Sequence, residues 1–439
     1  MTTSPNAHER VASFLKEHPK IRHVRYVIHD YHNVPRCMLT TSSRALTIAQ
    51  NPTQTGAVTS ATSINYCAFN TGHYDFSLMV ALADGDHWVP VWETLKCTTR
   101  DDQAMVLCTI KEMKEPEANW FDRDPRSVLQ RLVNKAKDEF GLEFSVGYEI
   151  EFQLLKSMNE LEAIEVPAEP YGSCSVRDPS FDVLLETVET LEDSGIQVWK
   201  YHAEVGRGVY ELSFSPNDPM TATDNLIFAL ETIKSVAKQH GSHATIHPKP
   251  FETAGGLGQH MHISVNKGEL SDSFLAGIVG HIRSICAVLM GAYDSYGIRD
   301  HVFGGGLLGW SMGKTAPIRR IGESRFEIRI PDGLGNPYLQ IASLLGIGMD
   351  GVRKQTKLEM KGVPAVALTD EVAKECGITD RVPASQKEAI EAMEKNKEVM
   401  VEVLGEKCFE TYVQHRKSDT KHASKMPKTA RNKQIVMNI

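Results

Sequence analysis

The run Val146-Gly147-Tyr148-Glu149-Ile150-Glu151-Phe152-Gln153-Leu154-Leu155 permits few folds. Glu149 and Glu151 are two positions apart and alternate with Tyr148, Ile150 and Phe152. A period of two belongs to a strand, so both carboxylates point to one side of a sheet and the apolar residues to the other. Like charges this close repel, and burying them unpaired costs several kcal/mol each. A chain that keeps this run either leaves that face in water or sets cations in front of it.

Three further stretches share the pattern. "YHAEVGRGVYELSF" places Glu204 and Glu211 on either side of a Gly206-Arg207-Gly208 turn, so two strands meeting there bring the carboxylates together. "GQHMHIS" puts His260 and His262 on one strand face. "SRFEIRIPD" puts Arg325, Glu327 and Arg329 on one face, with Phe326, Ile328 and Ile330 on the other. Any one of these alone is most simply the wet side of an antiparallel sheet. Together they give five glutamates, imidazoles and arginines on strands whose opposite faces are apolar. Carboxylates with an imidazole suit hard divalent cations such as Mg²⁺ or Mn²⁺ better than a thiolate zinc site. Arginines on the same faces suit a polyanion, most simply a nucleoside triphosphate. The chain has no GxxxxGK[ST] motif, so a nucleotide would not be held by a P-loop. The residues alone lead to a sheet-lined cavity with two or three cations and a phosphate substrate, with a solvated sheet face as the competing reading.

The rest of the chain sets limits on this. Its 439 residues suffice for two or three domains. A net charge of -8 argues against nucleic acid as the main partner. No apolar run is expected to span a membrane, and the N-terminus lacks the apolar core of a secretory signal. The eight cysteines are scattered without a CxxC pair and read as reduced thiols of a cytoplasmic protein. Strand patterns dominate residues 1–113, and strands and helices intersperse over 114–439, so two domains with this boundary are expected. Asp124 with Pro125 should open a helix that stops at Gly141, and Asp224 is a plausible cap for the helix through "NLIFALETIKSVAKQH". His29 and His32 are expected to be exposed in a turn. The basic tail 415–439 is expected to be solvated, with its apolar end on a neighbouring subunit or disordered.

With these motifs in hand, the chain resembles glutamine synthetase, class I in the broad sense that includes ligases joining glutamate to amines. "GYEIEF", "HAEVGRGVYE", "HATIHPKPFETAGGLGQHMHIS" and "RFEIRIPDGLGNPYLQIASLLGIGMDGV" are similar to that family's signature segments, in order, from about residue 20 to about residue 410. The resemblance implies an α+β fold: an N-terminal β-grasp domain, then a catalytic domain whose curved antiparallel sheet forms a funnel. It implies a homo-oligomeric ring, decamer or dodecamer, with active sites between subunits. Glu151, Glu204 and Glu211 match the ligands of one cation, and Glu149, His260 and Glu327 those of another. His262 and Ser264 match nucleotide-contacting positions. Arg319 and Arg325 match phosphate-contacting arginines, and Arg319 and Lys314 fall at catalytic positions. Gly256, Arg299 and Arg329 match the grip on the amino-acid substrate. ATP would be the co-substrate, and an amino acid and an amine the reactants.

The departures from the family gather around the amine. No glutamate follows Arg299 before Trp310, where the family carries one that closes the site and helps deprotonate ammonium; Gly304-Gly305-Gly306-Leu307-Leu308 stands there instead. Lys314 replaces an arginine and loses its planar fork. The Asn-Gly pair before the His-x-His is Gly255-Gly256, and Val209 replaces a glutamine. The aspartate segment that helps bind ammonium has no match in "GAVTSATSINYCAF". A cation site without its anions binds ammonium poorly. These features give an ATP-dependent carboxylate–amine ligase whose acceptor is an organic amine, against an ordinary glutamine synthetase or a non-catalytic assembly protein of that family.

Overall fold

A computed structural model describes residues 7–50, 59–60, 75, 78, 86–112, 122–157, 161–166, 171–172, 177–178, 180–254, 256–298, 306–364 and 368–439. Two sheets organise these residues. The first contains β1 (His23–His29), β2 (Pro35–Thr41), β3 (Thr59–Ser60), β4 (Asp86–Pro90), β5 (Lys96–Cys97) and β6 (Gln103–Glu112). Its order is β2-β1-β6-β4-β3, with β5 on β6, and β1 runs parallel to β6 at its centre. A central parallel pair within antiparallel neighbours is the β-grasp arrangement. Helices α1 (Ala7–Glu17) and α2 (Ser42–Gln50) accompany it. Val24, Tyr26 and Ile28 are buried as their alternation requires, but Val27 and His29 are buried too. The second sheet's side of the molecule covers β1 as well: Arg25 reaches Glu231 at 2.8 Å.

The second sheet carries the charged motifs. Its strands are β7 (Phe144–Leu155), β8 (Val198–Ala203), β9 (Val209–Phe214), β10 (His243–Thr245), β11 (Gln259–Val265), β12 (Trp310–Ser311), β13 (Ile318–Arg320) and β14 (Arg325–Ile328). The order is β12-β13-β14-β11-β7-β9-β8, with β10 on the far end of β7; every pairing is antiparallel except β12 with β13. Tyr148, Ile150 and Phe152 are at most 1% exposed, so the apolar face of β7 is core. Tyr148 Oη and Thr223 Oγ1, 2.9 Å apart, tie that face to the helix beneath it.

The helices of this half are α3 (Pro125–Phe140), α4 (Phe181–Asp193), α5 (Pro219–Gln239), α6 (Ser271–Leu289), α7 (Pro337–Arg353), α8 (Asp370–Cys376), α9 (Gln386–Lys395), α10 (Lys397–Leu404), α11 (Glu406–Ala423) and α12 (Lys428–Asn438). Helix α3 begins and ends as its sequence requires: Asp124 accepts from Ser127 N–H, and Gly141 takes φ +61°. Helix α5 starts earlier than expected. Asp218 caps it with Pro219 at the first position, and Asp224 lies inside the helix. Residues Gly268–Leu289, contrary to expectation, are long and apolar enough to cross a membrane, but most of the segment is buried against the protein. Gly277 explains the packing: a Cβ there would lie 2.3 Å from the Ile347 carbonyl of α7.

The two halves are joined by buried polar groups. Asn336 caps α7 by accepting from Leu339 N–H, and its Nδ2 donates to the His29 and Asp30 carbonyls at 3.2 and 2.9 Å. His29 and His32 are therefore 5% and 1% exposed, not surface residues, and burial pushes both imidazoles down. Arg416 of α11 is fully buried and donates to the Tyr31 carbonyl. The C-terminal tail is likewise folded on its own chain: Ile435, Val436 and Ile439 are buried. Its basic composition concealed two helices whose arginines have internal partners.

Candidate active site

Strand register brings the charged motifs into one row. His260 on β11 stands opposite Glu149 on β7, and Glu151 stands opposite Glu211 on β9. Glu211 in turn faces His202 on β8. On the other side, Glu327 on β14 faces His262 on β11 and Arg319 on β13. The row crosses six neighbouring strands. The β8–β9 turn that returns Glu204 toward Glu211 uses Gly206 at φ +120° and Gly208 at φ +66°, conformations that favour glycine.

The side chains converge at two points. Glu149, His262 and Glu327 offer atoms within 4.8 Å of one another, and so do His202, Glu204 and Glu211. His260 sits between the points. Its Nδ1 is 3.4 Å from Glu149 and 3.9 Å from Glu327, and its Nε2 is 3.8 Å from Glu151. Glu151 accepts from Gly258 N–H at 2.8 Å. His202 is a member that sequence reasoning missed. It lies two residues before Glu204, on the same strand face, and that spacing was the available signal. Its Nε2 is 3.2 Å from Glu211 Oε1 and its Nδ1 is 3.0 Å from the Ala203 carbonyl.

Glu327 is the most enclosed carboxylate of the row, 2% exposed. Arg319 donates to one oxygen at 3.1 Å and Arg329 to the other at 2.6 Å. Burial opposes its charge, but Arg329 and His260 outweigh that and hold the carboxyl below its ordinary range. Burial also opposes the charge on Glu149, and His260 and His262 outweigh it there. Glu151 shifts the other way: burial pushes it up, with Glu211 and Glu204 adding repulsion. The set fits hard cations. Carboxylate oxygens dominate it, and His260 Nδ1 and His262 Nε2 both turn toward Glu149, at 3.4 and 3.1 Å.

These shifts have a consequence for acid stability in chelator-treated protein. A carboxyl held below its ordinary value of 4.5 contributes stability above that pH, and the contribution is lost as pH falls below it. Glu149→Gln should therefore destabilise the protein near neutrality, with the gap to the parent narrowing toward about pH 3. Urea melts across that range check the convergence.

The remaining expected residues divide. His262, Ser264 and Arg325 line a cavity of about 220 Å³ together with Glu149, Trp199 and Lys200. Arg325 reaches His262 Nδ1 at 3.3 Å. Gly256 is exposed in the segment before β11. Lys314 is exposed between β12 and β13 and makes no hydrogen bond or ion pair with a described residue. Arg299, Gly255, Gly304 and Gly305 lie outside the described residues. Leu307 and Leu308 are buried, Leu307 packing beside Val363 and Ile378.

The family model for the glutamine synthetase catalytic domain matches residues 122–434. The chain belongs to the glutamine synthetase family. Its relatives include fluG of Emericella nidulans, 31% identical over 339 residues, which cover 74% of this chain and 39% of fluG. The glutamine synthetase of Methanocaldococcus jannaschii is 31% identical over 346 residues, covering 72% of this chain and 74% of that protein. Among solved structures, an ADP complex of GmaS superposes with a TM-score of 0.80 at 23% identity, covering 95% of this chain and 97% of that one. Ligand-free GmaS gives 0.78 at 24% identity, covering 96% and 98%. These two likenesses concern the fold. Membership in the glutamine synthetase family makes the chain an ATP-dependent ligase, and every member of the charged row lies within the matched segment.

Proposed function

We propose that the protein activates the γ-carboxylate of glutamate with ATP and couples it to an organic amine, forming an amide. One observation carries the acceptor assignment: the donor row across the sheet is complete, yet residues 301–322 contain no Asp or Glu. Asp300, directly after Arg299, is the last carboxylate before that stretch. Ammonium has only its charge and N–H groups to be held by, so it depends on such anions, whereas an alkylamine, also a cation near neutrality, can gain binding from its carbon chain.

The roles of the residues follow from charge. The reacting carboxylate and the γ-phosphate of ATP are both anions and repel. Two or three Mg²⁺ or Mn²⁺ ions, when bound by Glu151, Glu204 and Glu211 and by Glu149, His260 and Glu327, would screen that repulsion and polarise the phosphoryl oxygens. His202 and His262 stand beside those sets. Arg319, Arg325 and Lys314 add positive charge for the triphosphate, with His262 and Ser264 beside the nucleotide. Arg329, Arg299 and Gly256 hold the amino-acid end of the substrate. A carboxylate oxygen attacks the γ-phosphorus and ADP leaves. The amine then attacks the acyl carbon, inorganic phosphate leaves, and the amine's proton goes to a base or to water. Exclusion of water protects the acyl phosphate between the two steps.

A homo-oligomeric ring and a domain boundary near residue 113 belong to the same reading. Family membership supports the ring, and the family match beginning at residue 122 supports the boundary.

Phosphate release with ATP, Mg²⁺, glutamate and a panel of amines tests the acceptor. Methyl- or longer alkylamines, or polyamines, should exceed ammonia by at least about tenfold in kcat/KM, a gap of roughly 1.4 kcal/mol in transition-state binding. Ammonia as the best acceptor would restore an ordinary glutamine synthetase. ATP binding without turnover on any pair would mark a non-catalytic member.

A further inference from the structure

Two segments border residues of the proposed site: 247–258 ends with Gly258 bonded to Glu151, and the turn Tyr293–Ile298 directly precedes Arg299 in the sequence. Both are held by the last helix of the chain. Arg431 of α12 donates to the two oxygens of Asp294 at 2.8 and 2.6 Å, and both side chains are nearly enclosed, 9% and 7% exposed. The same guanidinium donates to the Ala423 carbonyl at 3.1 Å and to the Met426 carbonyl, and it lies 4.7 Å from the centre of the Tyr293 ring. One side chain thus joins the end of α11, the start of α12 and the 293–298 turn. A forked pair of this kind fixes direction as well as distance.

The neighbouring residue holds the other segment. Asn432 Nδ2 donates to the Lys249 and Pro250 carbonyls at 3.3 and 2.9 Å. His247, 1% exposed, accepts on Nδ1 from Lys249 N–H at 3.0 Å, so a neutral ring carries its proton on Nε2, beside Asn432. Leu257 N–H closes the loop on the Pro248 carbonyl, and Gly258 N–H then reaches Glu151. The exposed pair of Lys428 with Glu252 adds little.

We propose that α12 is a latch for the carboxylate-substrate side of the active site, with Arg431 and Asn432 as positioning residues that set the 247–258 segment and the Tyr293–Ile298 turn. The assignment of these segments to the substrate rests on the function proposed above. The latch itself does not. Arg431 touches no reactant; it acts through Asp294 and the turn that precedes Arg299.

Hydrogen exchange and steady-state kinetics on the full chain separate the two. In Arg431→Gln, amides of residues 249–254 and 293–298 should exchange faster, those of β7 and β11 should not change, KM for the carboxylate substrate should rise about tenfold, and the Kd for ATP should stay within about twofold. Arg431→Lys should recover part of the KM effect, because it keeps the charge and loses the fork. Should Arg431→Gln fail to fold, Asn432→Ala carries the same expectation for residues 249–254. Unchanged exchange in both segments would overturn the latch, and so would an ATP Kd that rises as much as the carboxylate KM. If the parent chain forms no amide from any pair tried, the functional reading fails and exchange alone decides the latch.

Discussion

Glu327→Gln is expected to lower ATP-dependent amide formation by about 10² to 10³-fold, the range lost when one preorganised electrostatic partner is removed. The substitution keeps the shape and removes only the charge. That charge is the least replaceable in the row. Glu327 is 2% exposed, faces His262 and Arg319 across two strand pairings, and divides its oxygens between Arg319 and Arg329. A neutral amide accepts from one guanidinium and turns an NH₂ toward the other, so the two arginines lose a shared anchor. Any cation would lose an anionic oxygen at the same stroke. Phosphate release in the presence of glutamate and the best amine measures this, with ATP affinity as the companion reading. A fall of less than about tenfold would remove Glu327 from the reacting centre.

The largest loss of stability is expected at Asp224, remote from the chemistry. Asp224→Ala should cost about 3–5 kcal/mol, because it leaves a buried guanidinium without its counter-charge. Arg126 donates to both Asp224 oxygens at 3.1 and 2.8 Å, and Tyr338 Oη donates to the first at 2.5 Å. The ion pair is nearly enclosed, with side chains 12% and 10% exposed. Burial opposes the charge on Arg126, and Asp224 outweighs it and raises the guanidinium above its ordinary value. One carboxylate therefore couples α3, α5 and α7. Urea denaturation gives the cost from midpoint and slope. A loss below about 1 kcal/mol would place the pair in the class of solvated surface ion pairs.

The sheet and its charged row were legible because alternation is a local property. Glu149 with Glu151 and Arg325 with Glu327 announce a strand face, and the Gly-Arg-Gly turn announces the hairpin that joins Glu204 to Glu211. Cross-strand neighbours are not local. His202 was missed because its partner Glu211 lies across the hairpin, and a lone histidine two residues before a glutamate reads as surface. Asp224 precedes an apolar stripe as a cap would, whereas the Asp218-Pro219 pair holds the true signal. The tail misled through its charge: Arg416 and Arg431 count as basic residues, but each is inside the protein with carboxylates and carbonyls around it. His29 and His32 follow the same rule, since only the packing of the two halves buries them.

The central claim, that this row of carboxylates serves to turn a carboxylate into an acyl phosphate, has a direct chemical test. Glutamate labelled with ¹⁸O in its γ-carboxylate is incubated with the protein, ATP, Mg²⁺ and the preferred amine, and the inorganic phosphate is analysed by mass spectrometry. Attack of a carboxylate oxygen on phosphorus, followed by loss of phosphate from the acyl carbon, moves one labelled oxygen into each phosphate released. One ¹⁸O per phosphate, matched by one amide formed, is the expected result. Amide formed together with unlabelled phosphate would contradict it.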